Sequence, residues 1–452
     1  MLLVAVAAAV GVPLFYQRFD DEVRRRVEEK LAAHYPDLSV SVRAARFLMG
    51  KGIEIRGVSV VEPNVAGPAA ELAYIEELLL EGDTQWQELL RGELRISRVV
   101  FRRPTIRVAQ RPDGSWSAAK LLPLPRLSKD PPAGVIENGV VELLDPLKPQ
   151  GGSLIARDAQ LTFEAAPTEQ SSQVRFKSSS AAPTPLRVRG HFVADHVQRV
   201  DIDATLEPSG KEWSLAGSLD GLDFSPEFVR ALPAVLSRRI AELSSVRCSV
   251  QGRFQLTQSA AAQGEIAFDA SGRISRGRVD DPRLPYPLTD LRAAFVLNNR
   301  ELAITDLTAR NGQTTLAVEL HRQGYAKQCP YTLVVKSRRM VFDQQLRSIL
   351  PLEWQNEWHK YLPAGEFDAD LKLAYDGQGW RPELIVACKS VSFSFIKFPY
   401  RLERGQGRIE LVDDLLKVDL KAFTEGEEVR IFGDFRHPGP KATGKVNIRG
   451  DN

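Results

Sequence analysis

The nearest approach to a catalytic motif is GPKATGK, Gly439 to Lys445, which meets most of a phosphate-loop pattern. Such a loop needs a Ser or Thr after its lysine and a helix behind it that turns amide hydrogens toward the phosphates. Val446 stands where the hydroxyl should be, Pro440 removes a donor, and the residues that follow alternate as a strand does. His191 and His196 are metal-ligating types, but in strand context their spacing puts them on opposite faces. Asp201 and Asp203 straddle Ile202, and Asp368 and Asp370 straddle Ala369. Paired carboxylates suit acid–base work, yet the polar face of a strand gives the same pattern. Trp354 and Trp358, at helical spacing, could stack on a ligand, but they equally fit a packed core. Arg24, Arg25 and Arg26 could meet anionic headgroups, or form the solvated face of a helix. No constellation survives as a catalytic site. The expectation is a protein that is not an enzyme, with no cofactor and no metal.

Those residues must be held by something, and the composition bounds it. The 452 residues are 43% hydrophobic and 26% charged, ordinary for a folded chain. With 60 basic and 58 acidic residues the net charge is +2, so the basic stripe that nucleic acid requires is missing. Cys248, Cys329 and Cys388 are odd in number and far apart, which fits neither a disulfide framework nor a zinc site. Cys248 and Cys388 fall at alternating apolar positions and read as small buried hydrophobes.

Residues 1–16, MLLVAVAAAVGVPLFY, carry no charge and read as a slightly short transmembrane anchor. A cleaved signal with Ala7 and Ala9 at its site is the rival, but the basic start of such a signal is missing. Residues 20–34 follow as a helix, with Val23, Val27 and Leu31 in one stripe and Pro36 as its stop. Period-two alternation then begins at Leu38, Val40 and Val42 and resumes at Ile53 and Ile55, marking half-buried strands. TQWQELLRG, from Thr84, reads as a helical turn or two. Asp113-Gly114 reads as a turn, and Asn138-Gly139 as the type I′ turn of a hairpin. Residues 121–134 and 166–185 are loop or linker, the latter holding one short strand, QVRFK.

From Leu186 the alternation scarcely stops. Two helices interrupt it, at about 225–243 and 343–361, and each carries an internal proline, Pro233 or Pro351, that should kink or split it. These segments belong to a long repeat. Pro285 falls on Pro399, Tyr286 on Tyr400, Leu302 on Leu416 and Gly312 on Gly426, while Phe224 falls on Phe342 and Pro233 on Pro351. GKVNIRG, from Gly444, matches the strand that opens a repeat, so the chain is expected to stop at the threshold of a third unit and to be a fragment of a longer protein.

The order of these segments carries a resemblance. An apolar N-terminal stretch, GKGIEIRGVSVVEP and a Leu-rich helix are followed by RISRVVFRRPTIRVAQRPDGSWSAAKLLP and GVIENGVVELLDP. Over roughly residues 1–165 this resembles the AsmA-like proteins, membrane-anchored relatives of TamB and YhdP that are grouped with the chorein-type bridge-like lipid transfer proteins. The resemblance implies a single pass of the inner membrane, with the bulk of the chain in the periplasm. The motifs are structural, so they speak for architecture more than activity.

The expected fold is mainly β with a few helices: a long curled antiparallel sheet forming an elongated apolar groove built from repeats, plus the anchor helix. Its parts are an anchor (1–19), an N-terminal α+β domain (20–180), a first groove repeat (181–330) and a second (331–452). One broken helix per repeat is too little to roof the apolar side of its strands. Either the sheet closes on itself as a sandwich or barrel, or its lining is left for a ligand, and the resemblance favours the ligand. A lining of Leu215, Leu219, Phe254, Phe268, Leu302, Ile304, Val386, Leu416 and Val418 suits acyl chains, at about 0.8 kcal/mol per buried methylene. The expected function is to hold phospholipid tails and conduct them between inner and outer membranes. The expected partners are phospholipid acyl chains and the inner membrane, with outer-membrane or periplasmic proteins as further candidates. The alternative is a periplasmic scaffold that assembles outer-membrane proteins by β-augmentation.

Overall fold

The computed structural model describes residues 20–48, 51–82, 96–111, 115–123, 125, 132–145, 154–166, 185–207, 212–259, 266–396, 400–437 and 442–450. The apolar stretch at 1–16, the TQWQELLRG segment, the Asp113-Gly114 turn and the QVRFK strand lie outside these residues. Among the described residues no helix is long and apolar enough to cross a membrane.

The protein is mainly β. Its strands separate into two compact units, one holding residues up to Leu222 with Glu227–Glu242 and Arg253–Ala267, the other Asp223–Pro226, Leu243–Gly252 and Phe268–Asn452.

In the first unit the helix α1 occupies residues 20–34, as its stripe requires. Strands β1 (Ser39–Leu48), β2 (Gly52–Val61), β3 (Glu71–Glu81) and β4 (Arg98–Ala109) pair antiparallel in sequence order. Val23, Val27 and Leu31 of α1 lie on Val42, Ile53, Ile55, Leu80 and Val99, forming the best-buried core of the unit. Next come β5 (Ala133–Leu144), β6 (Leu154–Ala165), β7 (Leu186–Ala194), β8 (Val197–Leu206) and β9 (Trp213–Phe224).

Two expectations fail at β5. It pairs with β4 in parallel, Phe101 opposite Ile136, so the sheet is not antiparallel throughout. And Asn138-Gly139 makes no hairpin: β5 runs straight through it. Asn138 takes φ 54 inside the strand, and the register with β6 shifts there. An Asn in left-handed backbone serves a β-bulge as readily as a turn. The same device recurs at Arg103, directly across the parallel pair, and at Asp158 on β6.

The repeat is visible in the element order. Strand β9 is followed by α2 (Pro226–Ala231), α3 (Ala234–Arg239), β10 (Val246–Gln258), β11 (Ile266–Val279), β12 (Leu288–Asn298), β13 (Glu301–Asn311) and β14 (Thr314–Gln323). The second copy runs β15 (Tyr331–Phe342), α4 (Gln344–Ile349), α5 (Leu352–Tyr361), β16 (Ala364–Tyr375), β17 (Trp380–Ser394), β18 (Arg401–Val412), β19 (Leu415–Thr424) and β20 (Glu427–Arg436). Then β21 (Thr443–Gly450) lies against β20 as β15 lies against β14. Pro233 and Pro351 split each helical stretch in two. Each sits at the N-cap of its second helix in extended backbone, ψ 147 and 148, where a missing N–H costs nothing. In the second unit β11–β21 pair antiparallel in sequence order, with bulges at Arg276, Asp290, Asp306, Arg339 and Arg404. Each bulge bends its strand and sharpens the local twist.

Candidate apolar binding face

Alternation along one strand becomes a face only if register aligns the apolar residues across strands. In the second unit it does. Leu307, Val318, Val335 and Leu371 are successive cross-strand partners on β13 to β16. Leu384, Leu411, Leu416 and Phe435 carry the same row across β17 to β20. A parallel row holds Leu316, Ala369, Val386, Ile409 and Val418. The opposite side of the same strands is charged, with Arg338 on Asp370 at 2.5 Å, Lys372 on Glu383 at 2.8 Å and Arg430 on Asp419 at 3.2 Å. Exposed pairs of this kind add little stability each. They mark which side faces water.

The cover over the apolar side is partial. Leu346 of α4 and Trp358 of α5 pack on Phe367, Cys388, Leu420 and Ile431, and these strand residues are buried. Phe342 stacks on Phe367 with ring centroids 4.0 Å apart and meets Trp358 edge-on at 5.6 Å. Beyond that row the helices stop. Leu307, Val318, Val335, Leu371, Leu384 and Leu411 are all only half-buried, although their alternation is as regular as that of the covered row.

The first unit shows the same grading. Ile53, Leu80 and Val99 are buried under α1. Their row continues through Gly134, Phe163, Val188, Ala204 and Leu215. The last four of these are half-buried, Phe163 still packed against the core under α1. Phe163 lies across Gly134, where an added Cβ would meet the ring at 1.8 Å, and Phe254 lies across Gly217, where it would meet the ring at 2.6 Å. At Gly134 the ring alone fills the space, and at Gly217 the Asp201 backbone carbonyl, 2.5 Å from where the Cβ would lie, fills it together with the ring. At one margin α2 rests on the β7–β8 turn, Phe228 against the His196 ring at 5.6 Å, and the Ala234 N–H donates to Asp145 Oδ2 at 2.9 Å.

All the lining residues expected from sequence fall on these faces. Leu215 and Leu219 on β9, and Phe254, belong to the first unit; Phe268, Leu302, Ile304, Val386, Leu416 and Val418 belong to the second. Every one is half-buried; Val386 and Val418 pack against the core under α4 and α5, while the other seven stand outside the buried clusters. The residue missed was Arg322. It stands at an apolar-parity position of β14, after Leu316, Val318 and Leu320, and that parity break was readable in the sequence.

The polar groupings resolve as structure. Asp203 is bound by Arg187 and Arg189 and Asp201 by Arg199, and these bonds hold both carboxyls below their usual range. Asp370 pairs with Arg338, and Asp368 with Lys389 at 3.3 Å. His196 lies in the β7–β8 turn rather than in a strand, so the expected strand spacing from His191 does not apply. Lys445 lies within β21, opposite Asp434. Trp354 is exposed while Trp358 packs on Phe342. Cys248 and Cys388 are buried, and burial pushes both thiols up to about 11, with Asp223 adding to the effect at Cys248. Among the described residues no group of His, Cys, Asp and Glu could hold a metal ion.

No family model matches the chain, and neither does any curated protein or solved structure.

Proposed function

We propose that this chain is a lipid carrier: phospholipid acyl chains lie on the apolar face of its strands and are passed between the inner and outer membranes of a bacterial envelope. The observation that carries the reading is the second unit's open rows. Strand residues from Leu307 to Phe435 align in register as an apolar surface that α4 and α5 leave half-buried. Contiguous apolar surface of this kind marks a binding site. Near-identical residues at each strand make successive positions similar in energy, so a tail can shift along the row. At about 0.8 kcal/mol per methylene a long tail gains on the order of 10 kcal/mol. The resemblance to AsmA-like proteins supports the periplasmic placement and the membrane anchor. The chemistry is binding, not catalysis.

Native mass spectrometry of the detergent-free protein from a bacterial host tests it. Co-purifying glycerophospholipid is the expected result. A lipid-free protein that also fails to take up diacyl lipid from vesicles would sink the proposal.

A second reading, capture of an extended polypeptide by β-augmentation, draws on β21. Its residues Thr443–Gly450 are exposed throughout, and among the described residues they pair with β20 alone. Photo-crosslinks from Asn447 to polypeptide, with none to lipid from Leu371, would favour it.

A further inference from the structure

The second unit's apolar face holds one Lys or Arg among the described residues, Arg322. Its cross-strand neighbours are Leu302 on β13 and Tyr331 on β15. A guanidinium offers five N–H donors and no acceptor. Nη2 donates to the backbone carbonyls of Tyr325 at 3.2 Å and Ala326 at 3.0 Å, in the loop between β14 and β15. That loop is pinned in turn, because the Tyr325 hydroxyl donates to the carbonyls of Asn298 at 2.7 Å and Glu301 at 3.0 Å. Nε is buried without a hydrogen-bond partner. Among the described residues Arg322 has no ion pair. Glu301 is registered with Gln323 rather than Arg322, so its side chain belongs to the other face.

The same row continues through Tyr331, Tyr375 and Trp380. Their rings form one cluster, with centroids 5.7 Å apart for the two tyrosines and 5.1 Å from each tyrosine to Trp380. Rings with one apolar end and one polar end, set beside a cation, suit the level where lipid tails give way to headgroups. Along β16 the half-buried strip from Ala369 to Tyr375 spans roughly 20 Å, against roughly 15 Å of hydrocarbon in one bilayer leaflet. The helices α4 and α5 close the other end of that strip.

Resting on the carrier reading, we infer that Arg322, beside Tyr331, Tyr375 and Trp380, is the phosphate-binding point for a glycerophospholipid. Its tails run along Leu333, Leu373 and Leu371 toward α4 and α5. The single cation matches the single charge of a phosphodiester, and the forked guanidinium matches its two free oxygens.

The test compares retention of phosphatidylglycerol and of diacylglycerol with the same tails by the full chain. Diacylglycerol lacks only the phosphoglycerol headgroup. The wild-type protein should prefer phosphatidylglycerol by about tenfold or more. Arg322→Gln should erase that preference while diacylglycerol retention stays unchanged, which also shows that the variant is folded; Arg322→Lys should keep part of it. Equal retention of both lipids by the wild type, or a preference that survives in Arg322→Gln, overturns the headgroup site and leaves the apolar face standing. If the wild type holds neither lipid, the carrier reading itself falls and takes this site with it. Should Arg322→Gln fail to fold, the wild-type preference and the Arg322→Lys value decide.

Discussion

The Tyr286 hydroxyl donates to Oδ2 of Asp343, while Oδ1 of the same carboxylate accepts from the Leu346 backbone N–H at 2.9 Å. One side chain thus caps α4 and holds the segment before β12, joining the middle of one repeat to the helices of the next. Burial, reinforced by the Asp343 charge, pushes the Tyr286 phenol well above its ordinary range. Because the folded protein raises this pKa, the stability it contributes is complete below pH 10 and is lost as pH rises through the folded value. Tyr286→Phe should therefore cost about 1–2 kcal/mol at neutral pH and flatten the loss of stability above pH 10. Asp343→Ala removes the cap as well and should cost more, about 2–3 kcal/mol. Urea unfolding of the three proteins at pH 7 and pH 10.5 measures both effects.

Covered and open rows of one face should respond differently to truncation. Phe367 is 5% exposed and stacked on Phe342, so Phe367→Ala should cost about 3–5 kcal/mol. Leu371 is half-buried two rows away, beyond Ala369, so Leu371→Ala should cost about 1 kcal/mol. Equal costs in thermal unfolding would mean that the open row is core. Combining Val335→Asp, Leu371→Asp and Leu384→Asp should abolish lipid retention while the circular dichroism stays β.

Much of this is legible in the amino-acid sequence. The Tyr286/Tyr400 and Pro233/Pro351 matches place strand for strand and helix for helix, because helix-capping prolines and alternating apolar residues are local signals. What failed was non-local or ambiguous at short range. Asn138-Gly139 has the backbone preference of a turn, and only the β6 partner reveals a bulge. The parallel pairing of β4 with β5 depends on strands brought together across a long connection, which no local periodicity records. Arg322 was readable as a break in parity, but its meaning needed Tyr331, Tyr375 and Trp380 to be aligned with it across three strands.

The thiols give a third prediction. Cys248 and Cys388 are buried and held up to about 11, whereas Cys329 is half-exposed in the loop after β14. The thiolate is the reactive form. Iodoacetamide at pH 8 should label Cys329 first and leave the other two intact until the protein unfolds, as peptide mass spectrometry will read. Early labelling of Cys388 would show that Phe367 and Leu420 do not seal that row.

Glu62 supplies the acid-side prediction. Its side chain is 9% exposed, held by Arg111 and by Lys120 at 2.6 Å. Burial alone would raise its carboxyl, but the bonds from Lys120 and Arg111 outweigh that and lower it. A lowered carboxyl stabilises the fold above its unfolded value, about pH 4.3, and that contribution disappears as pH falls through the folded value. Glu62→Gln should cost about 2–3 kcal/mol at pH 7, since it leaves Arg111 and Lys120 without their anion. That cost should shrink as pH falls through the folded value, where the wild-type carboxyl becomes protonated too. Urea unfolding of the two proteins between pH 7 and pH 2.5 should therefore converge. Curves that stay parallel across that range would show that the ion cluster does not stabilise this end of the first unit.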